Sequence, residues 1–241
     1  NGFIYIAGSV IHSSGTSDFD PGSGNFNLSG SGIFLQKIDL NGDLVWAMQP
    51  PAATGYYPNL DVDNNGNIFV SSGSSSSTTI NKVDYQGNLL WTNTYANGSN
   101  TAYVKADESN NLIVITKFNG GSMNFEQNPN TSNFSGNFGL LKLDYNGDLI
   151  FGKSWSNIST VNGNPYNDQN NNIYFSCTYT STFDIDPGQD VVNLNGSGTF
   201  ITRLDSVGDY VWGSSIQNNL SIVLDTNKNI FISGNLYSNN D

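Results

Sequence analysis

Alternating β-branched, aromatic and polar residues run along the whole chain, broken at short intervals by corners rich in Asn, Gly and Asp. Period-two alternation bounded by Asn-Gly, Gln-Gly or Asp-rich corners is the pattern of strands joined as hairpins. In one stretch it predicts four strands, A over Pro58–Asp63, B over Asn67–Ser72, C over Thr78–Asp84 and D over Asn88–Thr94.

That stretch repeats. Lys37-Ile38-Asp39-Leu40-Asn41-Gly42-Asp43-Leu44-Val45-Trp46 recurs as Lys82 to Trp91, Lys142 to Phe151 and Arg203 to Trp212. The cation, the Asp two residues on, the Gly five on and the aromatic nine on keep their places each time. A second unit, Asp63-(x)4-Ile68, recurs as Asp107-(x)4-Leu112, Asp168-(x)4-Ile173 and Asp225-(x)4-Ile230. The repeat averages about 57 residues. Four-stranded units with turn chemistry at fixed offsets point to an all-β fold, a β-propeller of four-stranded antiparallel blades. Blades are expected near 1–57, 58–101, 102–159, 160–219 and 220–241. The first repeat opens at strand B and the last stops after strand B. The expectation is therefore a partial propeller of four to five blades within a single repeat region that continues beyond both ends.

Composition narrows the function classes. Charged residues make up 12% of the 241, against roughly 25% in average proteins, and Asn, Ser and Gly replace them. Net charge is −12, from 20 acids and 8 bases. Without clustered Lys and Arg, nucleic acid and anionic membrane surfaces are not expected partners. No apolar run approaches the ~20 residues of a spanning helix, so membrane insertion is not expected. No basic-then-apolar leader opens the chain, which is expected to start within a domain. Cys177 is the one cysteine, which leaves no intrachain disulfide and no Cys-based zinc site.

The pattern Lys-x-Asp-x-x-Gly-(Asp/Asn)-x-x-Trp, with Asn-Gly-x-Ile-Tyr and Asp18-Phe19-Asp20-Pro21-Gly22, resembles the SBBP-type β-propeller repeats. The Asp-x-x-Gly-Asn-Ile-Phe-Val portion is also similar to NHL repeats. The resemblance covers essentially the whole chain. It implies a large bacterial protein, secreted or on the cell surface, and no single defined activity.

Several residues invite a chemical reading. Asp18 and Asp20, and again Asp184 and Asp186, are paired carboxylates followed by Pro-Gly; they can hold Ca²⁺ given further oxygens, or form Asx turns. Asp61-x-Asp63-x-Asn65-Gly66 matches half of a calcium loop, but the twelfth position is Ser72, and a hairpin turn is favoured. Trp46, Trp91, Phe151 and Trp212 are expected to pack between blades, because they share one repeat position. Lys37, Lys82, Lys142 and Arg203 read as a recurring ion pair or turn anchor. Tyr56, Tyr57, Trp155 and Tyr166 lie outside the repeat positions and are the candidate ligand contacts. The single histidine, His12, has Ser13, Ser14 and Asp18 nearby, but no nucleophile motif accompanies it. Glu108 and Glu126 are the only glutamates, and both fall at positions the repeat explains.

No catalytic residue is assigned. The expected function is a non-catalytic extracellular or cell-surface scaffold that binds a protein or glycan through its loops, alongside further blades or domains of the same chain. The alternatives are a hydrolase or lyase with its site in the central channel, and a spacer repeat of a large surface protein.

Overall fold

The computed structural model describes residues 2–11, 15–52, 55–118, 122–124, 133–216, 220–225 and 229–234. Every regular element among them is a β-strand, and every strand pairing defined residue by residue is antiparallel. The chain divides into two compact units, Asn1–Val104 and Lys105–Asp241.

The first unit opens with β1 (Phe3–Val10), the small hairpin β2 (Thr16–Asp18) and β3 (Asn27–Ser29), then β4 (Gly32–Asp39) and β5 (Leu44–Met48). The sheet order is β1-β4-β5, with β2-β3 as a separate ribbon. A four-stranded sheet follows in order β6 (Tyr56–Val62), β7 (Ile68–Gly73), β8 (Ser77–Val83), β9 (Leu89–Ala96).

β10 (Gly98–Ala106) carries the chain across the unit boundary. The second unit continues with β11 (Leu112–Phe118), ribbon β12 (Ser122–Asn124) and β13 (Asn133–Ser135), β14 (Phe138–Leu143) and β15 (Leu149–Trp155). Next come β16 (Ile158–Val161), β17 (Tyr166–Asn167), β18 (Ile173–Tyr179), ribbon β19 (Phe183–Asp184) and β20 (Asn193–Leu194), β21 (Gly198–Leu204) and β22 (Tyr210–Ile216). β23 (Leu220–Leu224) and β24 (Ile230–Gly234) close the described chain as a hairpin. Sheet orders are β10-β11-β14-β15 and β16-β18-β21-β22, with β17 also on β18. The three ribbons are insertions between strands B and C; in the sheet without one, Ser74, Ser75 and Ser76 make that connection.

In the four-stranded sheets the inner strands B and C are the most buried. β7, β8 and β14 are buried throughout or nearly so, whereas the outer strand β15 is mostly half-exposed. Hence the near-continuous apolar runs Ile68-Phe69-Val70 and Leu112-Ile113-Val114-Ile115.

One corner design recurs at four C–D corners and four A–B corners among the described residues. After strand C, the Oδ1 atoms of Asp39, Asp84, Asp144 and Asp205 accept the backbone N–H four residues on at 2.8–2.9 Å. After strand A, Asp63, Asp107, Asp168 and Asp225 do the same at 2.8–3.1 Å. The residue three after the Asp takes a left-handed backbone: φ is 91° at Gly42, 94° at Gly87 and 64° at Asn110. Gly and Asn occupy the position because they adopt that conformation at least cost. Strand D then carries a β-bulge at one register in all four sheets that have it, opposite Lys37/Ile38, Lys82/Val83, Lys142/Leu143 and Arg203/Leu204. Strand D is a sheet edge, and a bulge there obstructs pairing with a foreign strand.

The repeated cation acts across sheets. Lys82 Nζ lies 3.8 Å from Asp63 Oδ2, and Lys142 Nζ lies 2.9 Å from Asp107 Oδ2, with all four side chains buried. The acid is thus the strand-A corner of the same sheet, while the Asp two residues after the lysine shapes its own corner. Lys37 Nζ donates to Tyr85 O at 2.7 Å and Lys142 Nζ to Ser206 O at 3.2 Å, each in the C–D corner of the next sheet. The aromatic nine residues on joins the grip. A Cβ on Gly87 would lie 3.2 Å from the Trp46 ring, and one on Gly208 would lie 2.5 Å from Phe151. Behind this contact, Ile33 and Leu35 of one sheet pack on Ile68, Val70 and Val83 of the next.

At Gly87 and Gly208 glycine therefore serves both backbone and packing, whereas nothing lies within 4 Å of a Cβ on Gly42. Gly42→Ala should cost about 1 kcal/mol by backbone strain alone. Gly208→Ala adds a steric term of about 1–3 kcal/mol. Chemical denaturation of the two variants should separate them, and equal losses would contradict the grip.

Candidate functional site

Of the four candidate ligand contacts, two are presented to solvent. Tyr56 is 50% and Tyr57 66% exposed, with ring centroids 6.5 Å apart in an edge-on arrangement. Tyr57 has φ of 55°, in the left-handed region that a bulky aromatic rarely enters. The chain around it is irregular. Gly55 is pressed on the backbone of Gly73, leaving no room for a side chain, and the β6–β7 register shifts between Tyr56 and Asn59. Beyond the shift the strand is held firmly. Asn59 Oδ1 accepts the Val104 N–H at 2.9 Å, and Ser71 Oγ donates to Ala102 O at 2.6 Å. Two adjacent phenol rings stand out from a strained turn on a fixed base, an arrangement suited to stacking on an apolar or sugar face.

The other two have structural work. Trp155 is only 4% exposed, against its expectation as a ligand contact. Its ring packs on Phe138 and Phe175, and Nε1 donates to Ile185 O at 2.9 Å. Trp155 thereby latches the Asp184–Gly188 insertion of the next sheet. Tyr166 is half-buried, opposite Tyr174, and packs on the cluster of Tyr174, Ile201 and Ile222.

The paired-aspartate loops are built as nested turns. Asp18 Oδ1 accepts N–H groups from Asp20 and Phe26, each at 2.9 Å, and Asp20 Oδ1 accepts that of Gly22 at 2.8 Å. Asp184 repeats this with Asp186 and Val192, and Asp186 with Gly188. The residue between the carboxylates turns inward: Phe19 is buried against Phe34, and Ile185 is fully buried. Asp18, Asp20, Asp184 and Asp186 thus each form an Asx turn through Oδ1. Among the described residues no group of three or more His, Cys, Asp or Glu side chains gathers as a metal site. His12 and Glu126 lie outside the described residues. Cys177 is fully buried, and burial pushes its thiol well above the usual range.

Backbone N–H donors from Asp20 and Phe26 hold the Asp18 carboxyl below the usual range, and the donor from Asp43 does so for Asp39. At Asp84 burial works against ionisation, but hydrogen bonds from Asn88 and the corner outweigh it. A carboxyl depressed in the folded state stabilises above its unfolded pKa, and that contribution is lost as pH falls through the folded value. The urea midpoint should stay level on the acid side of neutrality and fall from about pH 4 downward. A midpoint that rose on acidification would contradict the corner assignment.

No family model matches the chain, and no curated protein matches it. Among solved structures it is similar to a protein of unknown function from Bacteroides caccae, with 14% identity and a TM-score of 0.39, covering 79% of this chain and 77% of that one. A likeness at that level carries no argument about fold or function.

Proposed function

We propose that the chain is part of a secreted or cell-surface β-propeller of the SBBP type, a non-catalytic scaffold that binds a glycan through Tyr56 and Tyr57. The four-stranded meanders and the head-to-tail grip within each unit support blades stacked in series. The observation that carries the binding role is Tyr57, a 66% exposed aromatic held at φ 55°. Strain of this kind persists only where the surrounding structure imposes it, and it clusters at ligand clamps. A chain rich in Asn and Ser and sparse in charge has side-chain donors and acceptors that suit sugar hydroxyls.

Tyr57→Gly removes the ring and relieves the backbone, so folding stability should stay within about 1 kcal/mol of the parent. On a panel of soluble polysaccharides and immobilised glycans, retention by the parent should fall at least about tenfold in Tyr57→Gly, equivalent to roughly 1.4 kcal/mol. No retention by the parent overturns the glycan reading. Retention unchanged in the variant places the site elsewhere.

A further inference from the structure

Tyr56 and Tyr57 are neighbours in sequence, and neighbours on a regular strand point to opposite faces. Their ring centroids nevertheless lie 6.5 Å apart, with 63° between the planes. The left-handed backbone of Tyr57, within the register shift of β6 on β7, takes the chain out of its alternation there. The two rings form a corner and not a platform. When one ring lies flat on a plane, the other meets that plane at 63° and offers it only an edge. Stacking uses the face of an aromatic ring. A crystalline polysaccharide, whose sugar faces share one plane, therefore engages one of the two rings at a time. A chain free in solution turns about its glycosidic bonds and presents successive sugar faces at an angle, so both rings can stack.

The rim beside the corner carries hydroxyls. Tyr56 is opposite Gly73, which leads straight into Ser74, Ser75 and Ser76, and the last two are exposed. In three other sheets an insertion ribbon occupies this connection. Serine hydroxyls donate and accept, as sugar hydroxyls do.

Charge narrows the sugar further. The unit that carries the corner, Asn1–Val104, has seven aspartates, and its only Lys or Arg residues are Lys37 and Lys82. These are 4% and 0% exposed. Lys82 lies 3.8 Å from Asp63, and Lys37 donates to Tyr85 O. This unit thus presents no lysine or arginine to a ligand, while exposed carboxylates such as Asp18 and Asp43 repel an anionic one.

We infer that the ligand of the Tyr56–Tyr57 corner is an uncharged glycan chain free in solution, and neither an acidic polysaccharide nor a crystalline polysaccharide face. The inference rests on the glycan reading of the two tyrosines and narrows its chemistry.

The intact chain is run in native affinity electrophoresis through gels containing neutral soluble polymers (galactomannan, xyloglucan, glucomannan) or acidic ones (alginate, polygalacturonate). Depletion from solution by microcrystalline cellulose and crystalline chitin is measured alongside. Retardation by at least one neutral polymer is expected, with affinity at least about tenfold above that for any acidic polymer or powder. Tyr56→Ala should weaken the retardation as Tyr57→Gly does, because both rings take part, and circular dichroism establishes that the variants are folded. Comparable or stronger binding to a powder or an acidic polymer overturns the inference and leaves the glycan reading standing. Retardation by a neutral polymer that Tyr56→Ala leaves unchanged does the same. Binding to none of the polymers overturns the glycan reading, and the inference falls with it.

Discussion

The buried lysine near the end of three of the four C strands, replaced by Arg203 in the fourth, is the contact on which the rest of the architecture turns. A charged side chain taken out of water must be compensated, and Lys142 is compensated from two directions. Asp107 of its own sheet lies 2.9 Å away, and the Ser206 carbonyl of the next sheet accepts its hydrogen bond. One ammonium group therefore ties the A–B corner of a sheet to its C strand and ties that sheet to its successor. The aromatic across the ladder, Phe151 or Trp46, closes over the corner glycine of the next sheet. Its position can hold only glycine without strain, since a side chain meets both an unfavourable φ and an aromatic ring. Corner, cation and aromatic recur together because they are three parts of one junction.

A junction built this way divides the surface into fixed and free parts. The Asp corners are closed by their own carboxylates, and the insertion ribbons are folded down by Phe19, Ile185 and the Trp155 latch. The start of β6 escapes both devices. Its register shift turns Tyr56 and Tyr57 outward, while Asn59 anchors the strand behind them.

Much of this was legible in the residues. The four-strand meander follows from alternation and turn chemistry, and the corners from Asp, Gly and Asn at fixed offsets. The repeated aromatics were expected to pack, and their shared position was reason enough. Other parts needed three dimensions. Lys142 lies two residues from Asp144 and 35 from Asp107 in sequence, yet pairs with the distant acid. Trp155 lies outside the repeated aromatic position, yet it reaches an insertion 30 residues on. Asp-x-Asp-Pro-Gly fits a metal loop and an Asx turn alike, and only the folded backbone shows which N–H groups each carboxylate accepts. Nothing in Tyr-Tyr-Pro announces a left-handed tyrosine.

The measurement that bears most directly on the junction is native-state hydrogen exchange in the double variant Lys142→Met/Asp107→Asn. Removing both charges avoids leaving one buried alone, so the loss reports the junction and not an orphaned ion. If the lysine joins successive sheets, the corner amides of Gly208 and Asp209 in the next sheet should exchange faster, along with Asn111 in its own. Faster exchange confined to Asn111, with Gly208 and Asp209 unchanged, would contradict the account.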